Sequence, residues 1–401
     1  MSGRVRQTDV LVVGAGLAGL RVATRLAERG HSVVAIDRRR DLTTSIRTTG
    51  IFVRRTLDDY DLPDHLLGPA IRRVVLYPPS LRDPVELVSE RDEYRVGEMG
   101  PLYAAGARAA VFAGAELMLG TRYLGGSDGR YEVTGPDGPT TVHARFLVGA
   151  DGARSRVARD LGLDRNTQLL VGAENVFTVS EPVGSPAFHC VLDPRLAPGY
   201  IGWVINDGTH AHVGTAGYSR RFTGGVRSTL DEFATRAPGL TEADRPPAEV
   251  ERRGGPIPVG GLLRRISSPN GLLVGDAAGA VSPLTAGGLD PCLRLSDYAA
   301  TALDEALRTG RREALQDYDG GALRRKFTGR LAMRHALAQV KHPLMASAGF
   351  EVLRTPFGRA AARKVLFEDR SFPDPPNPIR LGKGSEPGTG YTSTETMSRP
   401  S

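Results

Sequence analysis

Three glycines and one aspartate near the start of the chain form the first group of residues equipped for binding chemistry. Gly14, Gly16 and Gly19 follow the apolar run Val10–Val13, and Asp37 stands 23 residues beyond Gly14. Gly14 permits a tight turn out of a strand. Gly16 lacks a Cβ, so backbone there can approach a pyrophosphate, and Gly19 lets a helix pack closely on a sheet. A helix starting near Leu17 offers free N–H groups and a positive dipole end to phosphates. Leu20, Ala23, Leu26 and Ala27 share one face of that helix, and Gly30 is placed to stop it. Asp37, closing the apolar run Val33–Ile36, can accept hydrogen bonds from ribose hydroxyls. The spacing predicts a strand–turn–helix–strand unit that binds a dinucleotide.

Two later segments carry further acids at strand ends. Phe146–Arg159 (FLVGADGARSRVAR) places Asp151 after an apolar run, and Gly271–Asp290 (GLLVGDAAGAVSPLTAGGLD) does the same with Asp276. Ligands of open α/β sheets lie beyond the carboxyl ends of the strands, so acids there face a ligand. Asp276 can accept hydrogen bonds from ribityl hydroxyls. Gly287 and Gly288 let backbone reach the N1/O2 edge of a flavin, where a helix N-terminus would stabilise the charge of the reduced ring. The three pieces in this order point to FAD.

These pieces resemble the FAD-dependent superfamily that holds para-hydroxybenzoate hydroxylase-like monooxygenases and geranylgeranyl reductases, over roughly residues 8–60, 93–165 and 255–308. The resemblance implies an α/β fold: a Rossmann-like FAD-binding domain, an inserted β-sheet substrate domain and a helical C-terminal segment. On this reading residues 1–77, 94–165 and 254–310 form the FAD domain, and 78–93 with 166–253 the substrate sheet. Residues 311–370 form helices broken at Pro343 and Pro356, and 371–401 a disordered tail rich in Pro, Gly, Ser and Thr. Cofactor contacts are expected from Gly14, Gly16, Leu17, Ala18, Gly19, Asp37 and Arg38, and from Gly275, Asp276, Pro283, Gly287, Gly288 and Leu289. The likeness gives Asp151 the role of the family's DG acid and Asp276 that of its GD acid. It sets Arg47 and Arg95 near the pyrophosphate.

Asp276-Ala-Ala-Gly-Ala-Val-Ser-Pro-Leu-Thr is closer to the reductase branch, because Ala278-Gly279 stands where the monooxygenases carry Ala-His. Gly199–Ile205, with the sole tryptophan of the chain, is similar to the aromatic-x-Trp segment that lines the reductases' substrate cavity. Tyr200, Trp203, His189, Cys190 and Cys292 are therefore candidate cavity residues. The alternation of the strand puts His210 and His212 on one face, open to solvent or to substrate. Three positions depart from the branch: Ala286-Gly287-Gly288 replaces Gly-Glu-Gly, Asn206 replaces a proline, and Thr48 or Thr49 replaces a cysteine beside the flavin. The implied activity is reduction of a C=C bond in an apolar small molecule by hydride from reduced FAD. Two alternatives stay open: an NAD(P)H-dependent monooxygenase acting on an aromatic or polyketide-type substrate through C4a-hydroperoxyflavin, and a cyclase or scaffold with no net redox chemistry. No proton-transfer residue is assigned. The chain has one G-x-G-x-x-G segment, so NAD(P)H or another electron donor would dock transiently. Halogenases of this fold need a lysine between flavin and substrate, and none of the first 325 residues is lysine.

Composition is that of a globular protein, with 40% hydrophobic and 24% charged residues. No apolar stretch reaches membrane-span length, and the two cysteines show no metal-ligand spacing. A cytoplasmic, metal-free protein is the default expectation. The net charge of +7 belongs to the C-terminal segment, where 321–370 carries eleven basic against three acidic residues. Leu353, Phe357, Leu366 and Phe367 interleave there with Arg354, Arg359, Arg363 and Lys364. A solvated basic face on packed helices is expected, with peripheral membrane contact as the second reading. Nucleic-acid binding has no supporting motif.

Overall fold

Val10–Val13 is apolar without alternation, and such a run is stable only when covered on both faces. It ends the first strand of a computed structural model that describes residues 4–179, 185–241 and 250–367. The chain opens with β1 (Arg4–Val13), α1 (Leu17–Ala27) and β2 (Val33–Asp37). β3 (Ile51–Val53), α2 (Arg54–Asp59), β4 (Arg73–Tyr77), β5 (Val85–Val88) and β6 (Tyr94–Val96) lead to α3 (Met99–Phe112). β7 (Glu116–Leu119), β8 (Arg122–Ser127), β9 (Arg130–Gly135), β10 (Gly138–Gly149) and α4 (Val157–Asp160) follow. Next come β11 (Leu169–Thr178), β12 (Ala187–Val191), β13 (Gly202–Asn206), β14 (His210–Gly217), α5 (Val226–Ala234) and β15 (Glu251–Pro258). β16 (Ser267–Ser268), β17 (Gly271–Leu273), α6 (Leu289–Thr309), α7 (Gly321–Gln339), α8 (Pro343–Arg354) and α9 (Pro356–Phe367) complete it.

The first sheet runs β16-β17-β10-β1-β2-β7, with β8 and β9 added beside β10. Its core strands are parallel, and Val13 is level with both Gly149 and Ile36. α1 packs on α3 and α6. Gly19 is what lets α1 sit so close, because a Cβ there would press into the Gly14 carbonyl. The strand expected over Phe146–Val148 is the end of the long β10, which runs unbroken from the β9–β10 hairpin.

The second sheet runs β15-β11-β14-β13-β12-β4-β5. β4 corrects a boundary. It falls within the stretch expected in the nucleotide-binding unit, yet it pairs in parallel with β12, Val74 beside Phe188. The reason is the burial of Val74 and Leu76 in the apolar cluster of this sheet, with Cys190 and Ile205. One face of the sheet packs Ala173, Phe177, Val204 and Val213 under α5, against Leu230 and Phe233. The opposite face, carrying Glu174, Trp203, His212 and Gly214, is the one that meets the first sheet. α8 and α9 begin at Pro343 and Pro356, where a missing N–H costs no helical hydrogen bond. No helix among the described residues is long and apolar enough to cross a membrane.

Gly19→Ala is expected to destabilise the protein by about 1–3 kcal/mol, as overpacking at a tight helix–sheet contact does. Urea unfolding measures it as a lowered midpoint with an unchanged slope.

Candidate functional site

A cavity of about 1140 Å³ extends from the carboxyl ends of the first sheet to the face of the second and to α7–α9. A single small ligand fills roughly 300–1,000 Å³. The space therefore suits a large cofactor with a second molecule beside it.

At one end stands the start of α1. Gly16 caps it with no side-chain hydrogen bond, so the first N–H groups have no side-chain acceptor. A Cβ on Gly16 would meet nothing within 4 Å, which leaves open space over those groups. Gly14, Leu17 and Ala18 line the same end. Asp37 Oδ2 accepts from the Ala15 N–H at 2.9 Å, and Oδ1 accepts from the Arg39 N–H at 2.8 Å. The Arg39 guanidinium also donates to both Asp37 oxygens, at 3.0–3.1 Å. Burial raises the Asp37 carboxyl, but these bonds outweigh it and hold the group below the usual carboxylate value. Arg38 and Arg47 line the wall as well. Burial, followed by the charges of Arg38 and Arg39, pushes Arg47 below its ordinary value. Such crowded cations are relieved by an anion.

At the inner end the two acids differ. Asp151 Oδ2 accepts from the N–H groups of Arg156 (2.7 Å) and Val157 (3.2 Å), at the start of α4. Its Oδ1 is buried without a partner. Asp276 lies deep in the protein, open only to the cavity, and burial alone pushes its carboxyl up to about 6. No side-chain or backbone donor of the described residues lowers it. Gly275, Gly287, Gly288, Leu289 and Cys292 lie beside it in the wall. The Cys292 thiol is pushed up by burial, then by the charges of Asp276 and Asp297.

The residues present fit FAD. The open N-terminus of α1 with Arg38 and Arg47 would hold the pyrophosphate, Asp37 the adenosine ribose, and Asp276 the ribityl hydroxyls. Gly287 and Gly288 would admit the ring. When bound, the flavin supplies hydride transfer.

Several expected residues lie elsewhere. Gly19 is packed behind the wall, and Pro283 is absent from the lining, packed near Gly261 instead. Arg95 is not at the pyrophosphate. Its guanidinium is held by Asp64 and by the carbonyls of Leu67 and Gly68, because β6 carries it to the far side of the β3–β6 ribbon. His189 is outside the cavity too, bonded at 3.0 Å to the Tyr77 hydroxyl, with burial pushing it down to about 4. His212 is buried between Glu174 and Asp207, not open to solvent. Tyr200, Trp203 and Cys190 do line the cavity, with the Cys190 thiol pushed up to about 12 by burial. Sequence reasoning missed Arg39, Tyr103, Glu174 and Arg253, and the inward faces of α7–α9. Arg39 carried a signal, since it lies two residues beyond Asp37. Glu174 carried none beyond being an acid in an apolar strand.

A molecule whose α/β sheet presents these groups to a cavity shared with the second sheet is an FAD-dependent oxidoreductase. The comparisons agree. Residues 107–333 match the FAD binding domain family, and residues 9–82 the FAD dependent oxidoreductase family. Digeranylgeranylglycerophospholipid reductase 1 of Methanopyrus kandleri is 32% identical over 311 residues, covering 75% of this chain and 81% of that protein. A geranylgeranyl bacteriochlorophyll reductase-like protein of Thermoplasma acidophilum superposes with a TM-score of 0.79 at 22% identity, over 91% of this chain and 98% of the other. The p-nitrophenol 4-monooxygenase of Pseudomonas putida shares the fold at a TM-score of 0.63 and 19% identity, over 91% and 94%. The chain belongs to the FAD binding domain family, in the branch that holds the digeranylgeranylglycerophospholipid reductases.

Asp276→Asn is expected to weaken FAD binding by about 10–100-fold, the range for a lost hydrogen bond to a charged acceptor. Fluorescence titration of the apoprotein with FAD measures it. The same variant has a pH signature. The folded value of about 6 lies above the ordinary 3.8, so folding favours the neutral acid. The apoprotein should lose roughly 3 kcal/mol in all as pH rises from about 3 to above 7, about 2 of it between 4 and 6. Asp276→Asn flattens that decline in urea unfolding series.

Proposed function

We propose that the protein reduces carbon–carbon double bonds in an apolar, prenyl-type chain, with hydride drawn from reduced FAD. The observation that carries the reading is the similarity to digeranylgeranylglycerophospholipid reductases over three-quarters of the chain. The far end of the cavity supports it, where Leu76, Phe188, Ile201, Leu353, Val365 and Leu366 offer an apolar wall to a hydrocarbon. NAD(P)H or another donor reaches the flavin transiently, since a single dinucleotide-binding segment is present.

Delivery of such a substrate would come from a lipid surface. α8 and α9 turn Leu353, Val365 and Leu366 toward the cavity while their outer side exposes Leu344 (73%) and Phe357 (80%), with Met345 and Val352 nearby. Arg359, Arg363 and Lys364 are exposed on the same helix pair. Apolar side chains ringed by cations suit an anionic bilayer surface.

Two measurements test these statements. Reduced protein mixed with digeranylgeranylglycerophospholipid under argon should reoxidise its flavin and add two hydrogens per double bond. Reoxidation only on admitting O2, with O2 consumed in step with NADPH and oxygen found in the product, identifies a monooxygenase instead. The variant Leu344→Asp/Phe357→Asp should sediment with phosphatidylglycerol vesicles at least about 10-fold less than wild type, from the loss of two buried apolar side chains. Unchanged sedimentation removes the membrane reading.

A further inference from the structure

Reducing a double bond takes a proton as well as a hydride, and the assignments above name no source for it. Glu174 stands in the cavity wall and is buried. Its Oε1 accepts two hydrogen bonds, from the Thr49 hydroxyl at 2.6 Å and from the Trp203 indole N–H at 2.9 Å. Its Oε2 is buried with no hydrogen-bond partner. In a neutral carboxylic acid one oxygen accepts and the other carries the proton. With both donors on Oε1, the proton of a Glu174 acting as an acid would sit on Oε2, which has no protein group to receive it.

A path for its replacement lies behind it. The His212 ring is buried on the same face of the sheet, with Nδ1 3.9 Å from Glu174 Oε1 and without a hydrogen-bond partner. A shift of about 1 Å brings that nitrogen into hydrogen-bond range. His212 Nε2 lies 3.3 Å from Asp207 Oδ2. Asp207 sits in the β13–β14 turn, where the N–H groups of His210 (2.7 Å) and Thr209 (3.0 Å) donate to Oδ1. Thr209 is exposed, so the chain of groups leads from the cavity to the surface. Burial raises the Asp207 carboxyl, but the bonds from His212, His210 and Thr209 outweigh it and keep it below the usual value. The cation that faces Glu174 from the neighbouring strand is Arg253, which is paired to Glu251 and donates to the Thr48 carbonyl. His210 and Glu251 are the other titratable groups near His212.

We propose that Glu174 is the catalytic acid of the reduction, and that His212 and Asp207 are positioning residues that restore its proton from the surface. The proposal rests on the C=C reductase reading. One alkene carbon takes hydride from the reduced flavin. The π pair of the double bond then forms a C–H bond at the neighbouring carbon with the Oε2 proton, leaving Glu174 a carboxylate. His212 passes its Nδ1 proton to Oε1 of the resulting carboxylate while Nε2 takes one relayed from solvent by Asp207. Rotation of the Glu174 carboxyl returns the proton to the cavity side, and rotation of the His212 ring restores Nδ1–H for the next turnover. Gly214 makes the arrangement possible: it lies between Glu174 and Trp203 in the sheet, and a Cβ there would strike the indole.

The sole tryptophan reports on this site directly. In the ¹⁵N-labelled full-length flavoprotein its indole N–H gives a single resonance, bonded to Glu174. That resonance should move in two steps between acid and alkaline pH. Glu174→Gln should abolish one step and His212→Asn the other. A wild-type resonance that stays still with pH overturns the relay, whatever the activity. In anaerobic single turnovers with digeranylgeranylglycerophospholipid, Glu174→Gln should slow flavin reoxidation by about 100-fold or more, while reduction of the flavin by dithionite is unaltered. His212→Asn should shift the pH profile of steady turnover, which a purely structural histidine would not do. Wild-type turnover with Glu174→Gln equally fast overturns the acid role alone. A wild type that leaves the lipid unreduced overturns the reductase reading, and the donor role with it.

Discussion

In the parallel pairing of β1 with β10 and β2, Val13 lies beside Gly149 and Ile36, and the strands stop on one line. Three backbone hydrogen bonds just past that line hold it: Gly14 N–H to Ile36, Ala150 N–H to Val13, and Val274 N–H to Gly149. Everything that faces the cavity from the first sheet depends on this common edge. It places the turn at Gly14, the acid at 151 and the turn at 275 side by side, although they are far apart in the chain. A slip of one residue would reverse the two faces of the strand and move every acid off the edge.

Close approach is the second requirement. Gly14, at φ 107°, has the Ala150 carbonyl where a Cβ would lie, so the first turn nests against the second. The crossing of α1 at Gly19 draws the helix N-terminus down onto the same edge. Short side chains here let backbone dipoles, which need no lysine, present the positive end toward a phosphate. The arginines around them add charge that can fork onto oxygens.

What the sequence made legible was the part of the molecule built from local rules. The glycine spacing after Val10–Val13, the acids after apolar runs and the prolines that open α8 and α9 each act within a few residues, so they can be read without a structure. The flavin follows from the glycines and acids, and the fold class from the family resemblance that they carry. The cavity face of the second sheet is different. Glu174, Trp203 and His212 meet across three strands, and period-2 alternation names a face without saying which neighbour lies beyond it. Arg95 was misplaced for the same reason. Its position depends on the β3–β6 ribbon and on Asp64, a partner 31 residues away. His189 shows the limit too, since the tyrosine that holds it lies 112 residues upstream in β4.

The walls of the cavity also differ in where they lie along the chain. The residues set out for the flavin all precede Cys292, whereas α7, α8 and α9 close the apolar end and extend to Phe367. α7 belongs to both sides: its Leu323 and Phe327 are buried in the core of the first sheet, while its Met333 and Leu337 line the cavity. The roof over the hydrocarbon end is therefore tied to the flavin-side core by one helix, and a disturbance of either wall reaches the other through it.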